Sequence, residues 1–296
     1  MPAIEGTTMT TDFSVRAREI DFVTRFGSNW TALMDILGIA RPIRKAPGTT
    51  LVSYKASIEL EDGNVPEGEE IPFSKATVTT VPYEELTIEK YAKAVTIEAV
   101  NKYGARLAVQ KTDDAFLNEL QGKVMDRFYD FLGTGTLAVE AADFQMGVAL
   151  AVGSVIDKFK KMHLSATRVV VFVNTLDAYR YLGAAQLTVQ NEFGVNYIKN
   201  FLGAEKLILS SEIESGKIIA TASENLILYY ADPGDGEFKE LGLDYTVQGE
   251  TNLIGFHAEG NYSHAMGENY ALMGMKLMAE YIDAVAVVTV GAGTEE

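Results

Sequence analysis

The stretch from Thr49 to Val81 constrains this chain more than any other. Thr49 to Leu60 reads as a strand with partial alternation, and Ile71 to Val81 as the strand that returns. Between them Glu61 to Glu70, EDGNVPEGEE, is a turn-rich acidic loop. Together the two segments make a long two-stranded ribbon that ends at Pro82, with few apolar residues to bury. An isolated two-stranded ribbon is marginal in water. The ribbon therefore predicts a surface, outside itself, on which it lies.

The clearest helix follows, from Thr112 to Gly135. Thr112 is read as its N-cap, and Asp113 and Asp114 place negative charge at the positive end of the dipole. Phe116, Leu117, Leu120, Val124, Phe128, Phe131 and Leu132 recur at helical spacing, with Phe116, Leu120, Val124 and Phe128 as its core face. Gly133 is read as the C′ glycine. Asp113 to Leu132 spans about 30 Å at 1.5 Å per residue, enough for a spine.

The remaining elements are placed around these two. Residues 1 to 48 read as an arm: a Thr, Gly and Pro-rich start, a short helix from Val15 to Arg25 capped by Ser14, and a second from Asn29 to Leu37 capped by Ser28 and ended by Gly38. Glu85 to Ala99 reads as a strand leading into a short helix near Ala99 to Leu107. Asp143 to Met162 is a second long helix, Arg168 to Val173 an apolar strand, and Asn174 the cap of a helix to Leu182, which together suggest a small α/β unit. Lys206 to Leu209, Lys217 to Ala222 and Asn225 to Tyr230 are further strands. Leu243 to Tyr262 and Tyr270 to Val290 are two long β segments that close the chain.

Chemistry is hard to find in these residues. The 296-residue chain has no cysteine, which removes disulfides, thiol catalysis and thiolate ligands. His257 with Glu259, and His264 with Glu268, read as surface polar residues rather than metal ligands, and Asp232, Asp235 and Glu237 as a solvated acidic turn. No nucleophile elbow or phosphate-binding glycine fingerprint is present. No cofactor is expected, and an enzyme is disfavoured. The net charge of −16 argues against a grip on nucleic acid. Residues 1 to 45 carry six basic against five acidic residues, so the rest of the chain holds −17. No run of about 18 apolar residues suggests a membrane span, and the N-terminus lacks a secretory pattern.

The order of these parts resembles the major capsid proteins of tailed bacteriophages. Four segments carry the likeness. Glu67 to Val100, EGEEIPFSKATVTTVPYEELTIEKYAKAVTIEAV, is similar to the family's extended loop and its entry into the peripheral domain. Asp126 to Gly135, DRFYDFLGTG, resembles the end of the spine helix. Glu205 to Gly234 resembles the axial-domain strands, and Met273 to Val290 the closing peripheral strand.

The resemblance implies an α+β, Hong Kong 97-like capsid fold. Its divisions would be an arm (1–48), an extended β-ribbon loop (49–84), a peripheral domain with the spine helix (85–140), an axial α/β domain (141–242) and closing peripheral strands (243–296). It implies a structural subunit that self-assembles as hexamers and pentamers into an icosahedral head around double-stranded DNA, in the virion, after assembly in the host bacterial cytoplasm. An encapsulin-type nanocompartment shell is the alternative on the same fold. Lys55, Glu67, Glu69, Glu70, Phe73 and Lys75 would make contacts between subunits from the loop, and Arg16, Arg18, Trp30, Leu33 and Leu37 from the arm. A separate scaffolding protein is expected, because only 48 residues precede the ribbon, together with a portal; no membrane and no sequence-specific DNA contact are expected. Some members of the family cross-link Lys to Asn, for which Lys55, Lys75, Asn252, Asn261 and Asn269 come into question; non-covalent shells are expected here.

Overall fold

The computed structural model describes residues 16–38, 42–183, 189–192, 195–234, 240–247 and 252–291. The two short helices expected near the start are a single helix, α1 (Arg16–Leu37). Ser28 does not cap anything, and Ser14 lies outside the described residues. The reason is the stripe Phe22, Phe26, Trp30, Leu33 and Leu37, which runs unbroken past Gly27. A helical glycine costs about 1 kcal/mol, less than the roughly 1.5–3 kcal/mol from burying each large apolar side chain. Gly38 ends the helix at φ +74°, where an added Cβ would also stand 2.8 Å from Ser223.

The next elements are β1 (Ile43–Arg44), then the ribbon strands β2 (Thr50–Glu59) and β3 (Lys75–Glu85). Pro82 does not mark the exit. It lies within β3, opposite Val52 and beside a register shift, where the missing N–H does little harm. β4 (Glu89–Thr96) leads into α2 (Ile97–Tyr103), capped by Thr96. A π turn (Arg106–Gln110) then runs straight into α3 (Lys111–Gly133). Thr112 is therefore inside a continuous helical path, and its hydroxyl donates back to the carbonyls of Ala108 and Val109 instead of capping. Gly133 is the last helical residue and not a left-handed C′ residue. Gly135 is the glycine with a steric reason, since a Cβ there would stand 2.7 Å from the Val285 carbonyl.

β5 (Leu137–Ala141) precedes α4 (Phe144–Lys161), whose first turn is capped by Asp143. β6 (Val169–Asn174) and α5 (Thr175–Leu182) follow, with Asn174 accepting from the Leu176 and Asp177 amides. The remainder is β7 (Gln190–Glu192), β8 (Val195–Phe201), β9 (Ala204–Ser210), β10 (Lys217–Ala222), β11 (Leu226–Ala231), β12 (Ile254–Asn261), β13 (Met266–Ala279) and β14 (Ala286–Val290).

These strands form two sheets besides the ribbon. One holds five strands, β1-β11-β13-β12 with β4 also on β13; the other holds seven, β5-β14-β10-β6-β9-β8-β7. The segment expected as one strand from Tyr270 to Val290 breaks at a 3-10 turn, Ile282–Ala284, and its halves join different sheets. β14 sits between β5 and β10 in the sheet of the α/β unit, while β11 belongs to the other sheet.

α1 and α3 fill the space against both sheets. Phe22 stacks on Phe256 of β12 at 4.1 Å, and Phe128 and Tyr129 meet Phe172 of β6 edge-on at 5.7 and 5.9 Å. On the far face of the seven-stranded sheet, Val148, Ala151, Val155 and Phe159 of α4 cover Val169, Val171 and Val173. Both faces of β6 are thus buried, which is why its sequence is an uninterrupted apolar run.

Candidate assembly interface

The ribbon is amphipathic in a way that the sequence shows only once register is known. Tyr54, Ala56 and Ile58 stand opposite Thr80, Val78 and Ala76. Residues directly opposite in an antiparallel pair share a face, so these six form one largely apolar face. Ser57 and Glu59 with Thr77 and Lys75 lie on the other. Tyr54, Ile58 and Val78 are each about three-fifths exposed, and no other described residue covers them. Lys55 lies in β2 opposite Thr79.

The two ends of the ribbon differ. At the root, Leu51 and Leu86 are fully buried with Ala231 and Met278, the Leu86 amide donates to the Thr49 carbonyl, and the Tyr83 hydroxyl donates to the Glu280 carbonyl. At the tip, Glu69 N–H donates to Pro66 C=O around Gly68 at φ +90°, the pattern of a type II turn. That turn carries Glu67, Glu69 and Glu70, all exposed, beside Leu60, Ile71 and Phe73, the last 92% exposed. The ribbon is thus anchored at one end and carries an apolar face and an acidic tip in solvent.

No family model and no curated protein matches the sequence. Solved structures do. A chain of the cyanophage A-1(L) capsid asymmetric unit superposes with a TM-score of 0.54 at 10% identity, covering 88% of this chain and 92% of that one. A chain of Mycobacterium phage Che8 gives 0.51 at 12% identity over 97% and 96%. A chain of the bacteriophage PhiM1 mature capsid gives 0.50 at 8% identity over 84% and 85%. The chain has the fold of a phage major capsid protein. At such identities the likeness is one of fold.

Within this capsid fold the residues expected to make arm contacts turn inward. Trp30 and Leu37 are 1% exposed and Leu33 8%, all in the core that α1 shares with α3. The expectation that they reach a neighbour is corrected: the stripe is spent on the chain's own sheets. Arg18 is spent too. It clasps Asp113 of α3 through two bonds of 2.8 Å, and Lys93 of β4 donates to the same carboxylate. Arg25 pairs with Asp114 at 2.6 Å and with Asp21 at 3.0 Å. Arg16 is the first residue of α1. Leu120, Val124 and Phe128 of α3 are buried, and Phe116 packs beside Phe22.

Sequence reasoning missed the polar anchors of α1. Glu19 is 3% exposed and accepts from the Ala258 amide at 2.7 Å and from the Thr246 hydroxyl. Asp113 is 4% exposed, and burial lowers the pKa of Lys93 beside it while the carboxylate opposes that shift. The partners are 20 to 239 residues away in sequence, and no local pattern marks them. His257 lies 3.7 Å from Glu19 and 3.8 Å from Glu259; His264 bonds Ser263 and Asn261, and Glu268 bonds Asn261 and Tyr270. Asp235 and Glu237 lie outside the described residues. Of the asparagines considered for cross-linking, Asn269 is buried in β13 opposite Ala258 and Lys93.

A second surface adjoins the ribbon root. A groove of 520 Å³ runs between α3 and β13, lined by Tyr83, Val124, Phe131, Met275 and Met278. Its cations are already paired, Arg127 with Glu89 and Lys276 with Glu84.

Proposed function

We propose that this chain is the major capsid subunit of a tailed bacteriophage, copies of which close into an icosahedral shell of hexamers and pentamers around double-stranded DNA. The observation that carries the reading is the ribbon, whose apolar face and tip are uncovered on a chain with a phage capsid fold. In this reading β2 and β3 are the extended loop that lies on a neighbouring subunit, through Ile58, Phe73, Glu67, Glu69, Glu70, Lys55 and Lys75. α3 is the spine helix. The five-stranded sheet is the peripheral layer, and the seven-stranded sheet with α4 and α5 is the axial domain.

The subunit's role is structural. Its partners would be other copies of itself, a separate scaffolding protein and a portal, in particles assembled in the host cytoplasm. The acidic balance of the chain supports an inner wall that packaged DNA does not grip, since tight phosphate binding needs clustered Lys and Arg. Electron microscopy of the purified protein tests the proposal: closed polyhedra, tubes or rings are expected, and a strictly monomeric species would refute it. Nucleic acid inside particles from infected cells supports the phage reading; a cargo enzyme instead would move it to the encapsulin alternative.

A further inference from the structure

The ribbon tip is the most acidic stretch of the molecule. Residues 59 to 70 hold six carboxylates (Glu59, Glu61, Asp62, Glu67, Glu69 and Glu70) and no base, and all six are exposed. None of them forms an ion pair among the described residues. Elsewhere on the chain one exposed segment has the opposite character. From Ile97 to Lys111, the three cations Lys102, Arg106 and Lys111 stand against a single acid, Glu98, and the next two acids, Asp113 and Asp114, are already paired with Arg18, Lys93 and Arg25. These three cations are exposed and likewise form no ion pair among the described residues. Lys102 only lies over the ring of Tyr103, at 5.2 Å. Between the cations, Ile97, Tyr103 and Leu107 are each more than half exposed, and α2 has no buried residue at all.

We propose that the acidic ribbon tip of one copy seats on the α2–π-turn segment of a second copy, with Glu67, Glu69 and Glu70 facing Lys102, Arg106 and Lys111, and Leu60, Ile71 and Phe73 covering Ile97, Tyr103 and Leu107. This rests on the shell-subunit reading and adds to it the surface that receives the tip. The groove beside α3 is the competing acceptor, but its Arg127 and Lys276 are neutralised within the chain, so it offers the tip no free charge. In an otherwise acidic protein, a patch of unpaired cations is where an anionic segment meets least repulsion. The two halves of the contact are different surfaces of one chain. Such a heterologous contact propagates head to tail, and closes only as a ring or shell.

The division of labour follows from magnitudes. An exposed ion pair contributes about 0–1 kcal/mol, so the apolar side chains carry the affinity. The charges choose the partner and its orientation, and like charges brought together there oppose association strongly.

Charge reversal on each side tests the inference. Glu67, Glu69 and Glu70→Lys in one variant, and Lys102, Arg106 and Lys111→Glu in another, are expected to lower particle yield at least tenfold. Both sets of side chains are exposed, and circular dichroism with urea unfolding should show each variant folded as the wild type is. Combining all six changes restores opposite charges and is expected to bring yield back to within about twofold of wild type. If the tip variant assembles like wild type, or if the folded six-fold variant regains nothing over the two triple variants, the inference is wrong while the shell reading stands. If the patch variant alone fails, a different anionic partner occupies the patch and the inference is equally wrong. If the wild-type chain itself forms no particles, the shell reading fails and this inference with it.

Discussion

Asp113→Asn is the perturbation that tests most sharply how the fold is held together. The carboxylate is 4% exposed and receives two bonds from Arg18 and one from Lys93, so that α1, α3 and β4 meet on one charge. The amide keeps the shape and removes the charge, leaving two cations side by side. Removing one partner of a buried ion pair costs about 3–5 kcal/mol. The Arg18 side chain is 34% exposed and can turn partly to water, which reduces the expectation to about 2–4 kcal/mol. With a urea m-value of about 3 kcal/mol/M, the midpoint should fall by roughly 1 M at unchanged slope. The control is Asp21→Asn, which removes only an exposed i,i+4 ion pair with Arg25 and should stay within about 0.5 kcal/mol. Urea unfolding of the dissociated subunit, followed by far-UV circular dichroism, makes the measurement. If Asp113→Asn falls within 0.5 kcal/mol of wild type, α1 is not anchored as described.

Trp30 is the chain's single tryptophan. Its emission should be that of a buried indole in the free subunit, and Trp30→Ala should cost about 3–5 kcal/mol in the same urea assay. Burial pushes the Tyr129 hydroxyl up to about 12. Because the folded value lies above the ordinary 10, the stabilisation is complete below pH 10 and is lost as pH rises from 10 towards 12, in total about 3 kcal/mol. Tyr129→Phe should remove that part of the alkaline decline, read as urea midpoints at pH 9 and pH 11. Phe73→Ser, at a side chain 92% exposed, should leave subunit stability within about 0.5 kcal/mol while particle yield falls.

What the sequence makes legible is local. Lys217 to Ala222 is read as a strand and is one, and Asn174 caps the helix its chemistry suits. The ribbon is recognisable because its two strands are near in sequence and joined by turn residues. What escapes is set by distant partners. Gly27 and Ser28 look like a helix break until Phe256 is seen across from Phe22. Asp113 looks like dipole compensation until Arg18 arrives from 95 residues away. The short edge strands β5 and β7 carry little periodicity, and the break at Ile282–Ala284 hides in an apolar run because both halves are buried. The ribbon's face is the part of the candidate site that needs register: one residue of slip would exchange its apolar and polar sides.

That face also gives the central test. The chain has no cysteine, so a single introduced thiol reports its own surroundings. Ala56→Cys and Ala76→Cys lie on the apolar face and Ser57→Cys on the opposite one, all at exposed positions. In the dissociated subunit all three should react with a maleimide at similar rates. In assembled particles the thiols at 56 and 76 should slow by tenfold or more while the thiol at 57 slows less. Equal rates at all three positions in the particle would mean that the apolar face stays uncovered, and would contradict the account.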